Sequence, residues 1–397
     1  MLQASAAASP PATDAVLMPL VGKLPTMAQL VAIDLPGGPE FVEALRRTWD
    51  DGDAVLPVDQ RLPPVARARL LEQLRPGAVV SAEGRKTLTA GCPVEGGDAL
   101  VIATSGTTGE PKGVVLTHAA VEASAVATSS RLGVDPARHR WLACLPLSHI
   151  GGLSVVTRAL YDGTPLTVLP RFDSDNVEAE SGPEVFVSLV LTALRRVRPE
   201  SFHTVVLGGS APPAERAPNV VTTYGLTETG SGVVYDGLPL DGVEVAIDPP
   251  TSEVRLRGPM LLRCYRDGSY PFDEEGWFST GDAGHVDEEG RLNVVGRIGE
   301  MIITGGENLW PSPIEDVIRE HQGVADVAVA GRPDPEWGQR VVVWVVPADP
   351  ARPPTLTELR DFVGERLPRY AAPRQLVLVD ALPRTPIGKV RRDVLES

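Results

Sequence analysis

Residues 104–113 read T-S-G-T-T-G-E-P-K-G, a string equipped to hold phosphate. Gly106, Gly109 and Gly113 let the backbone turn N–H groups toward an anion; Ser105, Thr107 and Thr108 add hydroxyl donors beside Thr104, and Lys112 adds charge. The common triphosphatase loop needs G-x-x-x-x-G-K-[ST]. Here Glu110 and Pro111 separate Gly109 from Lys112, so a kinase or GTPase reading fails on spacing. Further along, TYGLTE (223–228), STGD (279–282) and PRTPIGKVR (383–391) supply Tyr224, Glu228, Asp282 and Lys389. A carboxylate is a hard oxygen ligand suited to Mg²⁺, and a tyrosine face suits a purine. Taken singly, these residues read as a buried aromatic, a solvated acid, a turn former and a solvated lysine; their company in order along one chain reverses that.

Such groups need a folded scaffold. The 397 residues exceed one domain of roughly 100–200, and 43% hydrophobic with 22% charged residues is a globular composition. Lys+Arg 37 against Asp+Glu 52 gives a net charge of −15, which repels phosphate backbones and anionic lipids and excludes nucleic acid as the main partner. An anionic ligand must therefore be held by local donors working against the overall field. Cys92, Cys144 and Cys264 have no C-x-x-C spacing, so neither a disulfide framework nor a zinc site is expected. No basic start with an apolar run marks a signal peptide, and no stretch approaches the ~18 apolar residues of a membrane span, so a cytoplasmic location is expected.

The 39 glycines and 38 prolines punctuate short apolar runs. Strands are predicted at 98–103, 165–169, 204–207, 341–346 and 375–379, and helices at 117–131, 189–197, 313–320 and 355–367. This alternation implies α/β architecture with largely parallel sheets and a phosphate loop placed between a strand and a helix. A boundary is expected near 296–299. It divides the chain into residues 1–298, a large domain of stacked α/β subdomains, and 299–397, a small α+β unit.

The loop at 104–113, TYGLTE, STGD, GRIGEMIITGGENLWPSPIE (296–315) and PRTPIGKVR, in this order, resemble the signature motifs of the adenylate-forming superfamily of acyl-CoA synthetases, peptide-synthetase adenylation domains and luciferases. The resemblance covers residue 51 to the C-terminus. It implies ATP, Mg²⁺ and CoA as reactants, with Thr104–Lys112 on the β and γ phosphates. Tyr224 and Gly225 would pack against adenine beside Gly208, Gly209 and Ser210. Glu228 would ligate Mg²⁺, Thr227 would stand near the α-phosphate, and Asp282 and Arg297 would hold the ribose. Lys389 would bridge the attacking carboxylate and the nucleotide. The small domain would be a mobile lid that rotates after adenylation, with Gly305, Gly306 and Glu307 lining the thiol tunnel. Relatives carry Asp or Lys at the hinge where this chain has Gly299, which leaves Gly299 or Glu300 as the pivot. His149 would gate thiol access. His118 is placed by a helix start, and His139, His203, His285 and His321 have no evident partners.

FVSLVLTALRRV (186–197), TVVLGGSAP (204–212) and VYDGLPLDGVEV (234–245) are similar to the short o-succinylbenzoate:CoA ligases of menaquinone biosynthesis. That acid has a second carboxylate in need of a cation, either Arg158 or Arg195. The lining implied is His149, Gly151, Ser188, Thr192, Gly209, Ser210, Gly225, Thr229 and Gly230. Fewer residues precede the phosphate loop than the family usually has, which implies a shortened first layer. A different aryl- or fatty-acid:CoA ligase, an enzyme loading a carrier protein and a degenerate nucleotide-binding regulator remain as alternatives, and a homodimer is open as the assembly.

Overall fold

The computed structural model describes residues 27–105, 111–213, 215–384 and 390–395. Four main sheets organise them. The first has seven strands; Ala54–Pro57, Leu30–Asp34 and Ala78–Ser81 run parallel, as does the contact of Ala54–Pro57 with Asp98–Ser105. The second also has seven. Leu166–Val168, Arg140–Ala143, Gly182–Leu189, Phe202–Leu207 and Val220–Leu226 form a parallel run, and the antiparallel Ser231–Tyr235 and Leu238–Pro239 complete it. These strands are almost continuously Val, Leu and Phe, as burial on both faces requires.

Helices His118–Leu132 and Ile150–Asp162 pack on each other and on strands of both sheets. One apolar cluster runs through this layer, joining Leu100, Ile102 and Leu116 of the first sheet to Val121, Val155 and Val156 of the helices and to Trp141 and Phe186 of the second. The first of these helices starts as the sequence directs: Thr117 Oγ1 accepts from Ala120 N at 3.1 Å, and Gly133 ends it in the left-handed region.

Two expectations are corrected. The segment 189–197 is not one helix; residues through Leu189 belong to the buried strand Gly182–Leu189, and only Leu191–Leu194 is helical. A fully buried strand carries the same apolar run as a buried helix, so periodicity alone did not separate them. Among the described residues, parallel pairing is confined to parts of the first two sheets and to the pair Gly338–Pro347 with Gln375–Leu378 in the small C-terminal sheet. The third, Glu244–Asp248, Glu253–Arg257, Phe278–Val286 and Leu292–Arg297, is wholly antiparallel, because its strands follow one another without an intervening helix.

From Leu292–Arg297 the chain passes through the single turn Ile298–Glu300 into a fourth sheet built from Ile302–Thr304, Glu307–Leu309, Val324–Asp334, Gly338–Pro347 and Gln375–Leu378. Helices Pro311–Arg319 and Leu356–Gly364 cover it over a separate apolar cluster that includes Ile314, Ile318, Val343 and Leu359. No helix among the described residues is long and apolar enough to cross a membrane.

Candidate active site

The parallel strands of the second sheet set the site. Arg140–Ala143, Gly182–Leu189, Phe202–Leu207 and Val220–Leu226 all end at one edge, and their carboxyl ends lead into His149, Ser188, Gly208–Ser210 and Tyr224–Glu228. Ligands of open α/β sheets lie beyond such ends. Residues far apart in sequence thus share one rim.

On one side of the rim stands a closed polar chain. Tyr224 Oη donates to Asp282 Oδ2 at 2.7 Å, Arg297 Nε meets Asp282 Oδ1 at 2.8 Å, and Arg297 Nη1 donates to the Thr280 carbonyl at 2.9 Å. The antiparallel register that sets Asp282 opposite Arg297 makes this contact. Burial, and after it the Asp282 charge, holds the Tyr224 phenol well above its ordinary pKa, so it remains a donor. The strand bulges between Tyr224 and Gly225, and a Cβ on Gly225 would stand 2.1 Å from the Ser231 carbonyl oxygen, so only glycine fits there.

A second chain runs through a residue that the sequence reading missed. Tyr265 Oη donates to Glu228 Oε1 at 3.1 Å, and Lys112 Nζ lies 5.3 Å from the Tyr265 ring centroid. Tyr265 joins these two because its short strand pairs with Pro111–Thr117. No motif in its neighbourhood flags it. Among the described residues there is no group of three or more His, Cys, Asp or Glu that could cage a metal. One partly exposed carboxylate, Glu228, nevertheless fits Mg²⁺, which protein sites usually bind through one or two carboxylates plus substrate phosphates.

The phosphate loop differs from its expected setting. Its arms are the antiparallel strands Asp98–Ser105 and Pro111–Thr117, paired Thr104↔Lys112 and Ser105↔Pro111, and Thr104 Oγ1 donates to the Lys112 carbonyl at 3.3 Å. The helix begins only at His118, after the whole strand Pro111–Thr117, and so does not directly follow the glycine-rich string as the sequence suggests. Gly106, Thr107, Thr108, Gly109 and Lys389 lie outside the described residues.

The other side of the rim is built differently. Arg158 is 2% exposed; its Nη2 donates to Ser231 Oγ at 2.5 Å and its guanidinium lies 5.4 Å from the Trp141 ring centroid. Its Nε and Nη1 have no hydrogen-bond partner among the described residues, and neither have the buried hydroxyls of Ser148 and Ser188. Arg195 and Thr192, by contrast, are exposed on the short helical turn that follows Val190. Thr229 is fully buried, with its hydroxyl bound to the Leu226 and Ser231 backbone, so it shapes the turn that carries Glu228. Gly230 closes that turn in the left-handed region, and Gly151 stands in open space.

His149 is the residue before helix Ile150–Asp162. Its Nε2 lies 2.8 Å from Arg61 Nη2 and 3.5 Å from Asp59 Oδ2. Burial raises the Asp59 pKa, but hydrogen bonds from Arg61 and His149 outweigh it and hold the carboxyl well below the usual range. Neither Asp59 nor Arg61 was singled out from sequence. Three other histidines, expected to have no partners, have them. His139 Nδ1 accepts from Asp135 N at 2.8 Å, His203 Nδ1 lies 3.0 Å from Thr204 Oγ1, and His321 Nδ1 accepts from Gly323 N at 3.1 Å. His118 Nδ1 is 3.0 Å from Tyr161 Oη.

In the fourth sheet, Gly305 and Gly306 form the two-residue turn between Thr304 and Glu307 with φ of 60° and 86°, a hairpin that needs positive φ at both positions. Glu307 is exposed on that hairpin, and Gly299 sits exposed within the turn Ile298–Glu300 with nothing near its α-carbon hydrogens.

Residues 88–265 match the family described as AMP-binding enzyme, and residues 313–389 match AMP-binding enzyme C-terminal domain. A probable 2-succinylbenzoate–CoA ligase of Mycobacterium tuberculosis is 40% identical over 323 residues, covering 75% of this chain and 83% of the relative. The chain belongs to the AMP-binding enzyme family. The o-succinylbenzoate CoA synthetase of Bacillus subtilis, solved with its acyl-adenylate intermediate, superposes with a TM-score of 0.81 at 28% identity over 93% of this chain and 88% of that one. The same enzyme solved with ATP and magnesium ion gives a TM-score of 0.80 at 28% identity, over 93% and 89%.

Proposed function

We propose that this chain is an ATP- and Mg²⁺-dependent, AMP-forming acid:CoA ligase whose acid is o-succinylbenzoate, the substrate class named for its relatives in menaquinone biosynthesis. The observation that carries the choice of acid is Arg158. A guanidinium so buried, with two nitrogens unpartnered, is costly unless a carboxylate arrives to pair with it. The activated carboxylate is not that partner, because it must stay beside the nucleotide. A second carboxylate on the same acid answers the requirement, and exposed Arg195 does not compete for the role.

In the first step a carboxylate oxygen attacks the α-phosphorus, and pyrophosphate leaves with the electron pair of the broken P–O bond. Residues 104–112 hold the leaving phosphates, with Lys112 opposing their charge. Asp282 accepts from the ribose hydroxyls in place of Tyr224 or Arg297, Tyr224 backs the adenine beside Gly208–Ser210, and Thr227 stands by the α-phosphate. Glu228, oriented by Tyr265, would hold the Mg²⁺, which when bound offsets phosphate charge. Lys389 stabilises charge on the attacking and α-phosphate oxygens. In the second step the CoA thiolate attacks the acyl carbon and AMP leaves.

Residues 1–298 act as the nucleotide and acid domain and 299–397 as the lid. Pivoting at Gly299 brings the Gly305–Glu307 hairpin to the thiol path, with His149 at its gate. Gly299 needs no unusual φ here and meets nothing, which suits a pivot. The reading places the enzyme in the cytoplasm, acting on a small carboxylic acid, ATP and CoA.

Incubation with ATP, Mg²⁺ and CoA, in parallel with o-succinylbenzoate and with benzoic, cinnamic and medium-chain fatty acids, tests this by mass spectrometry of the CoA esters. An ester from o-succinylbenzoate well above the others is expected. An equal or better ester from a monocarboxylic acid would remove Arg158's role and with it the choice of acid.

A further inference from the structure

Outside the rim, a buried ionic cluster joins the two ends of the small domain. Arg392 exposes only 15% of its side chain. Its Nη1 donates to Glu300 Oε2 at 2.8 Å, its Nη2 to Glu315 Oε1 at 2.7 Å, and its Nε to the Val329 carbonyl at 3.1 Å. Glu315 is 6% exposed and also accepts from Val329 N at 2.8 Å. Burial disfavours the Arg392 cation, but Glu315 and Glu300 outweigh it and raise its pKa. Every charge in the cluster is therefore answered, which distinguishes it from Arg158.

The three anchors of Arg392 come from different parts of the fold. Glu300 ends the turn Ile298–Glu300 that joins the third and fourth sheets, Glu315 lies in helix Pro311–Arg319, and Val329 lies in the long strand Val324–Asp334. Arg392 opens the last short helix, Arg392–Leu395, whose Leu395 is 7% exposed and whose carbonyl accepts from Arg332 Nη2 at 3.0 Å. Just before it, Arg384 and Val390 bridge as an antiparallel pair, and Arg391 N donates to the Pro383 carbonyl at 2.8 Å. Arg384 Nη2 is in turn held 2.6 Å from Asp326 Oδ2. The described residues on either side of 385–389, Arg384 and Val390, are thus joined to each other, and Lys389 precedes Arg392 by only three residues in the sequence.

We propose that Arg392 is a positioning residue for the adenylation half-reaction: its bonds to Glu300 and Glu315 fasten the short helix Arg392–Leu395, which begins three residues after Lys389 in the sequence, to the first residue beyond the pivot. The proposal rests on the role given to Lys389 above. Lost rigidity at a group that must reach a transferring phosphoryl is costly, since a misplacement of 1 Å removes about 10²-fold in rate. The thiol step uses the other domain orientation, and there the lysine is withdrawn.

The test compares Lys389→Ala, Arg392→Gln, Arg392→Lys and Glu300→Gln in the full chain. Adenylation is read by ATP–pyrophosphate exchange, and thioesterification is read separately from a preformed acyl-adenylate. Expected for Arg392→Gln and Glu300→Gln is a fall of about 10–100-fold in the kcat of exchange. The KM for ATP and the thioesterification rate should stay within about threefold, and Arg392→Lys should recover part of the loss. The chain has four lysines, so the reaction of Lys389 with an amine reagent can be followed by peptide mass; its rate should change in Arg392→Gln and Glu300→Gln. Equal losses in both half-reactions, or an unaltered exchange rate, would overturn the strut. If Arg392→Gln does not fold, Glu300→Gln, which leaves the Glu315 bond in place, decides the matter alone. Normal exchange in Lys389→Ala would instead remove the role of the lysine itself, a failure distinct from the strut's.

Discussion

The two sides of the candidate site hold their charges in opposite ways. On the nucleotide side Asp282 is met by Tyr224 and Arg297, and Glu228 by Tyr265, so each carboxylate is oriented before any ligand arrives. On the side proposed for the acid, Arg158 is buried with two nitrogens unpartnered among the described residues, and so are the buried hydroxyls of Ser148 and Ser188. The first arrangement exchanges internal hydrogen bonds for ligand ones at little net cost, which suits a reactant common to every member of the family. The second leaves an uncompensated donor set, which on the function proposed above a suitable anion relieves, so that the pocket discriminates between acids.

This contrast can be broken most directly at Arg158. Arg158→Met should lower kcat/KM for o-succinylbenzoate by about 10²–10³-fold, the range of a lost buried ion pair, while the melting temperature stays level or rises because an unpaired buried charge is gone. A drop in both stability and activity toward every acid would make Arg158 a plain structural residue. On the nucleotide side, Asp282→Asn should cost about 10–100-fold in ATP–pyrophosphate exchange for all acids alike, because it weakens hydrogen bonds to a charged acceptor. Selectivity among acids, measured in the same assay, should not move.

Smaller effects sharpen the picture. Tyr265→Phe removes one donor to Glu228 and should raise the KM for Mg·ATP by about 2–10-fold, with thioester formation from preformed adenylate unchanged. Arg61→Ala frees His149 Nε2 from a half-exposed partner, and a change of about 2–5-fold confined to the thiol step is expected in stopped-flow assays. The smallest effect concerns acid stability. The Asp59 carboxyl is held below its ordinary value when folded, so its contribution is present above the ordinary carboxylate pKa of about 4 and is lost as pH falls through the folded value. Denaturation of Asp59→Asn should show a correspondingly shallower acid limb below about pH 4 than the parent chain.

Most of the nucleotide chemistry proposed here was read from the sequence because each part of it is local. The glycine spacing at 104–113 and the strings around Tyr224, Asp282 and Lys389 keep their meaning within a few residues. Tyr265, Asp59 and Arg61 were not legible. Tyr265 reaches Glu228 only through a strand pairing with Pro111–Thr117, and Asp59 and Arg61 meet His149 only across two elements distant in sequence. The phosphate loop was found, but its second arm was not, since the short strand Pro111–Thr117 and the following helix blur into one apolar run.

By itself the sequence determined the reaction class, the alternation of elements and the start of the helix after Thr117, because these depend on motif spacing, capping chemistry and local apolar pattern. Only the tertiary structure separates buried Arg158 from exposed Arg195, since burial and unmet hydrogen-bond donors are properties of packing between helix and sheet and are not written in the residue type. It also decided what Glu300 does. Its carboxylate is bound by an arginine ninety-two positions away, and a pairing over that distance exists only once the last strands and the terminal helix have closed the small domain.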